Sequence, residues 1–157
     1  MQILIVRHGD PDYSIDSLTE KGWREAELLA DRLSRLEVKE FYVSPLGRAK
    51  DTAAATLARM HREAVELDWL QEFFRADIAR PDAEGRSIAW DWLPQDWTKE
   101  DKYYDRGRWT DTAIMQDSRV AQEYRWVAEG LDNLLAGHGY VREGNCYRAE
   151  RPNADRI

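Results

Sequence analysis

Two short segments of the chain carry the residue types that phosphoryl chemistry needs. Arg7-His8-Gly9 follows directly on the apolar run Gln2-Ile3-Leu4-Ile5-Val6. A histidine at the end of a buried strand presents its imidazole at the rim of a sheet, and the glycine beside it lets backbone approach a ligand closely. Arg7 adds a planar fork of donors that matches phosphate oxygens. The second segment, Ser44-Pro45-Leu46-Gly47-Arg48-Ala49-Lys50-Asp51-Thr52-Ala53, puts an arginine in the first turn of a helix that follows a strand. A helix N-terminus already favours an anion, and Arg48 adds a full charge to that field. Two arginines and a histidine converging from two strand ends make a site for a phosphoryl group. Asp10, just after the first segment, and Ser44, which opens the second, are further candidates at the same rim.

A rival set, His8, Asp10, Asp12 and Asp16, offers imidazole and carboxylate ligands suited to manganese or zinc. It leaves Arg48 without a role and sets Arg7 against the cation. The anion reading is therefore preferred, and neither metal nor cofactor is expected. His61 falls at the end of the second helical pattern, where a cation complements the helix dipole; its reading is structural.

The elements that must position these groups follow from periodicity. Gln2 to Val6 reads as a buried strand, and Asp10-Pro11-Asp12 as a turn. Thr19 is an N-cap, with Glu20 in the first turn, and Trp23, Ala26, Leu29, Ala30, Leu33 and Leu36 mark an amphipathic helix. Glu40 to Val43 is a second strand. Ala49, Ala53, Thr56, Leu57 and Met60 mark a second helix, and Ala64 to Leu67 a third strand. This alternation predicts an α/β fold, a mainly parallel sheet flanked by helices, with ligands gathering at the carboxyl ends of the strands. Residues 73 to 112 break the rhythm and read as an insertion, with a short helix near Asp96 to Tyr104. Four of the seven tryptophans (Trp90, Trp92, Trp97, Trp109) fall there. They fit either a wall over the site or a satellite hydrophobic cluster. Ala121 to Leu135 is a third helix, capped at Gly137-His138-Gly139. Tyr140 to Ala149 reads as a hairpin around Gly144-Asn145. Asp155-Arg156-Ile157 reads as the opening of another strand.

A length of 157 residues suits a single domain, and no apolar run nears the twenty or so residues of a membrane span. The formal net charge of −7 argues against a general nucleic-acid partner. Cys146, the single cysteine, cannot pair within the chain, and the N-terminus has no secretion-signal pattern. Both point to the cytoplasm, with a small phosphorylated metabolite as the partner.

Taken in chain order, Ile5-Val6-Arg7-His8-Gly9, Leu18-Thr19-Glu20-Lys21-Gly22 and the Ser44–Ala53 segment resemble the histidine phosphatase superfamily, its phosphoglycerate-mutase-like group. The resemblance covers roughly the first half of the chain. It implies a metal-independent phosphomonoester hydrolase in which His8 becomes a phosphohistidine, Arg7 and Arg48 hold the phosphate, and Glu72, in Leu70-Gln71-Glu72, is the general acid. Arg80, Arg86 and Arg106 are additional anion contacts to consider.

Family members also carry a second histidine in a His-Gly at the end of a later strand. Here His138-Gly139 is the one such pair, and a helix precedes it. The expectation is therefore that the domain is incomplete, its missing strand starting at Ile157, so that this form is poorly active and its open edges favour a homo-oligomer. A catalytically silent phosphate-binding domain is the alternative. Asp10-Pro11-Asp12-Tyr13 also lacks the asparagine of many relatives, which counts against a phosphoglycerate mutase.

Overall fold

The structure, a computed structural model, describes residues 1–71, 77–79, 85–88 and 92–157. In chain order its elements are β1 (Pro11–Asp12), β2 (Ser17–Leu18), α1 (Glu20–Leu33), β3 (Tyr42–Val43), α2 (Gly47–Met60), β4 (Val65–Glu66), β5 (Asp77–Ala79), β6 (Arg86–Ile88), α3 (Pro94–Trp97), α4 (Ala113–Gln116), α5 (Val120–Gly137), β7 (Tyr140–Glu143) and β8 (Cys146–Ala149). They divide into two compact units, residues 1–71 with 138–157, and residues 72–137.

The first unit is α/β. β3 and β4 pair in parallel, Tyr42 opposite Val65 and Val43 opposite Glu66. Asp155–Ile157 does lie beside the segment that leads to His8. The amide of Gln2 donates to the Asp155 carbonyl (2.7 Å), that of Ile157 to Gln2 (3.0 Å) and that of Leu4 to Ile157 (2.8 Å). On its other side the Lys39 amide donates to the Arg156 carbonyl at 2.8 Å. The remaining named pairs, β1–β2, β5–β6 and β7–β8, are antiparallel hairpins, so among the described residues parallel pairing is confined to β3–β4 and the bridge at Gln2.

The buried strand expected over residues 2–6 is corrected to a single bridge at Gln2 followed by exposed chain. Ile5 is 93% exposed. The physical reason is that the ladder stops at Leu4 and Ile157, so Ile5 and Val6 have no strand beside them among the described residues.

α1 starts at Thr19, whose hydroxyl accepts from the Gly22 amide at 3.1 Å. Its buried Ala26 and Ala30 face a helix, α2, whose buried residues, Thr52 and Thr56, are also small, and the two helices pack closely. Arg59 of α2 reaches back to Glu27 (2.5 Å) and Asp31 of α1. α2 ends where His61 adopts a left-handed backbone, φ 52°. Gly144-Asn145 turns the β7–β8 hairpin, with Gly144 at φ 62°, as a two-residue loop requires.

The second unit is built on aromatic packing. Ile78, Trp92, Met115 and Val120 form its buried core, with Trp97, Tyr103, Trp109 and Ile114 against them. Trp92 and Tyr103 meet edge to face at 5.8 Å, as do Trp97 and Tyr103 at 5.5 Å, geometries that add to simple burial. The short helix expected near 96–104 resolves into α3 and a 3₁₀ turn at Asp101–Tyr104. Trp90, Arg80 and Glu72 lie outside the described residues, and the side chain of Arg86 is likewise not described.

Candidate active site

The site grows from the turn that follows the N-terminal segment. His8 is half-buried, and its Nδ1 lies 2.8 Å from the carbonyl oxygen of Gly9. A carbonyl only accepts, so Nδ1 carries the proton and donates it. The neutral ring then has its lone pair on Nε2. That is the tautomer a nucleophile needs, fixed by the residue next in sequence.

Gly9 itself is tied to α2. Its amide donates to Thr52 Oγ1 at 3.0 Å, and the same hydroxyl donates to the carbonyl of Arg48 at 2.7 Å. Thr52 therefore joins the residue after His8 to the first turn of α2. Gly9 also lies close against α1, an approach that depends on glycine. A Cβ on Gly9 would lie 2.9 Å from the Gly22 carbonyl oxygen, and one on Gly22 only 2.2 Å from that of Asp10.

Arg48 is largely buried. Its Nη1 donates to Asp16 Oδ1 at 2.7 Å, and the guanidinium lies over the Tyr13 ring, 5.4 Å from its centre. Asp16 Oδ2 accepts from the Gly47 amide at 2.7 Å. That amide and then the Arg48 guanidinium hold the Asp16 carboxyl below its ordinary titration range. Ser44 contributes a turn, its hydroxyl accepting from the Leu46 amide at 3.3 Å, just ahead of the helix. Arg7 is exposed.

Asp10 serves α1. It accepts from the Thr19 hydroxyl at 2.7 Å, its amide donates to Glu25 at 2.8 Å, and Lys21 lies 3.6 Å away. The Thr19 hydroxyl, and after it Lys21, lower its titration range. Asp12 accepts from the amide and hydroxyl of Ser14. The four residues of the rival metal set are thus each engaged separately. Among the described residues no three His, Cys, Asp or Glu side chains gather as a metal centre would require.

His138 belongs to a different cluster. Its Nε2 lies 2.8 Å from the Tyr42 hydroxyl, which also contacts Glu40 at 2.5 Å. The glycine that follows, Gly139, has φ 89°, consistent with the helix-cap reading. Sequence reasoning missed Thr52 and read Asp16 only as a member of the metal set. Thr52 was legible as a threonine one turn after Arg48, between the alanines of the α2 face. The pairing of Asp16 with Arg48 spans thirty-two positions and leaves no local signal.

A family model described as histidine phosphatase superfamily (branch 1) matches residues 3–149. A 2,3-bisphosphoglycerate-dependent phosphoglycerate mutase of Thermoplasma acidophilum is 35% identical over 72 residues, 40% of this chain and 36% of the mutase. A solved structure titled Mycobacterial hydrolase 1 is 20% identical with a TM-score of 0.48, over 84% of this chain and 64% of its own. The match thus spans about a third of the mutase and just under two thirds of the hydrolase. Among the described residues no helix is long and apolar enough to cross a membrane.

Proposed function

Because the chain belongs to the histidine phosphatase superfamily, we propose that it hydrolyses a small phosphomonoester through a phosphohistidine on His8. The observation that carries this reading is the His8 Nδ1–Gly9 contact, which leaves Nε2 with its lone pair. In the first step Nε2 attacks phosphorus, the bond from phosphorus to the ester oxygen breaks, and that oxygen takes a proton from Glu72. In the second, water attacks the phosphohistidine, gives a proton to Glu72 and releases phosphate and free imidazole. Arg7, Arg48 and the start of α2 offset the charge on the equatorial oxygens, which is why no metal is invoked. The net charge of −7 and the single cysteine favour a small cytoplasmic metabolite over a nucleic acid.

A second reading, a silent phosphate-binding domain, is supported by one observation: the His138-Gly139 pair is engaged with Tyr42 and Glu40. One experiment separates the two. Rapid quenching after mixing with an aryl phosphate labelled on phosphorus should leave acid-labile label on the wild type and none on His8→Ala. Phosphate binding without label supports the silent domain. Turnover that survives in His8→Ala removes His8 from the mechanism.

A further inference from the structure

We propose that Asp16 is a positioning residue for Arg48, fixing its guanidinium at the start of α2 while offsetting part of its charge. The inference rests on the reading of Arg48 as a phosphate ligand.

Five observations carry it. The Asp16 carboxylate is bidentate across two groups that would serve an anion, accepting from the Gly47 amide with Oδ2 and from Arg48 Nη1 with Oδ1, each at 2.7 Å. The backbone around it is built to keep it there. Asp16 stands at φ 48°, a conformation few residues other than glycine adopt, though aspartate and asparagine are enriched in it. Its carbonyl oxygen would lie 2.0 Å from a Cβ at Gly47, so only glycine lets this loop sit on the helix start. One residue on, the Ser17 hydroxyl donates to Asp51 of α2 at 2.5 Å. Tyr13, from the same loop, supplies the aromatic face under the guanidinium.

The consequence is a division of labour between binding and turnover. Phosphate meets an arginine whose charge is already partly balanced, which weakens its hold on the ground state and on the product. Orientation is worth most in the transition state, where misplacement of a clamp by about 1 Å can cost a hundredfold. Losing Asp16 should therefore tighten anion binding and slow the reaction together. A residue of purely structural importance would not split the two.

The test compares the wild type with Asp16→Asn, which keeps the backbone preference and the acceptor for the Gly47 amide. Asp16→Gly serves as a second variant that tolerates the same φ. Affinity for inorganic phosphate is measured by titration calorimetry at low salt, and kcat with a generic aryl phosphate. We expect the affinity to tighten about threefold or more, with a steeper loss on adding salt, as a neighbouring carboxylate is removed. We expect kcat to fall about tenfold or more. Unchanged or weaker phosphate binding in both variants overturns the proposal, as does an unchanged kcat, which would make Asp16 a competing anion that phosphate displaces. If the wild type binds phosphate but never labels His8, the hydrolase reading falls and the affinity comparison still decides the role of Asp16. A wild type that binds no phosphate overturns the inference on Arg48, and His8 labelling then judges the hydrolase alone.

Discussion

The Thr52 hydroxyl stands 3.0 Å from the amide nitrogen of Gly9 and spends its own proton on the Arg48 carbonyl, 2.7 Å away. One buried side chain thereby links the turn at His8 to the first turn of α2. Thr52→Val keeps the shape but leaves the Gly9 amide without its acceptor. We expect a loss of about 1–3 kcal/mol in denaturant unfolding, with Thr52→Ser close to wild type. Equal stability of the valine variant would show that this bond adds nothing to the fold.

Acid should loosen the same region. Asp10 and Asp16 both titrate below their ordinary range in the folded chain, through the Thr19 hydroxyl and the Gly47 amide respectively. A carboxyl whose folded pKa is lowered contributes stability above its unfolded pKa, near 4, and loses it as pH falls further. The melting temperature should therefore hold between about pH 5 and pH 7 and drop below about pH 4. Asp10→Asn should make that drop shallower. Identical acid limbs for the two proteins would count against the assignment.

Helices and their caps were the most legible part of the fold, because each has a period and a chemical stop. Thr19 caps α1 as its hydroxyl predicts, and Gly144-Asn145 turns the hairpin it signals. The β1–β2 hairpin was missed because two-residue strands carry no alternation to read. The apolar run at 2–6 predicted burial, but burial also needs a neighbouring strand. At the candidate site, the places of His8 after an apolar run and of Arg48 after β3 were legible. The partners that fix them were not, since Gly9 meets Thr52 and Asp16 meets Arg48 only once the chain has folded.

The tryptophan-rich segment was open between a wall and a core, since aromatic residues without a period fit both. Its described rings pack on fully buried Ile78 and Met115, which assigns at least these to a core. Met115→Ala should cost about 2–5 kcal/mol and weaken the near-ultraviolet dichroism of the tryptophans. Ile78→Val, which removes one methyl, should cost roughly 0.5–1.5 kcal/mol. Full stability in Met115→Ala would mean that the cluster is not the unit's core.

His8 and His138 differ in which ring nitrogen carries the proton. The His138 side chain is only 7% exposed, Asn153 Nδ2 donates to its carbonyl at 2.9 Å, and its ring meets Tyr42 edge-on at 5.9 Å. With Glu40 ionised, the Tyr42 hydroxyl donates to that carboxylate. The tyrosine oxygen then accepts from His138 Nε2–H, the one order in which every proton has an acceptor. Burial, reinforced by Glu40, pushes the Tyr42 hydroxyl well above its ordinary titration range, so it stays protonated. A histidine holding its Nε2 proton for a tyrosine has no lone pair there to offer phosphorus, unlike His8, and we propose that it serves the fold. Tyr42→Phe should therefore cost about 1–3 kcal/mol in unfolding and leave phosphate labelling of His8 within about twofold of wild type. His138→Gln should behave the same way. A His138→Gln protein of normal melting temperature that can no longer turn over an aryl phosphate would place His138 in the chemistry instead.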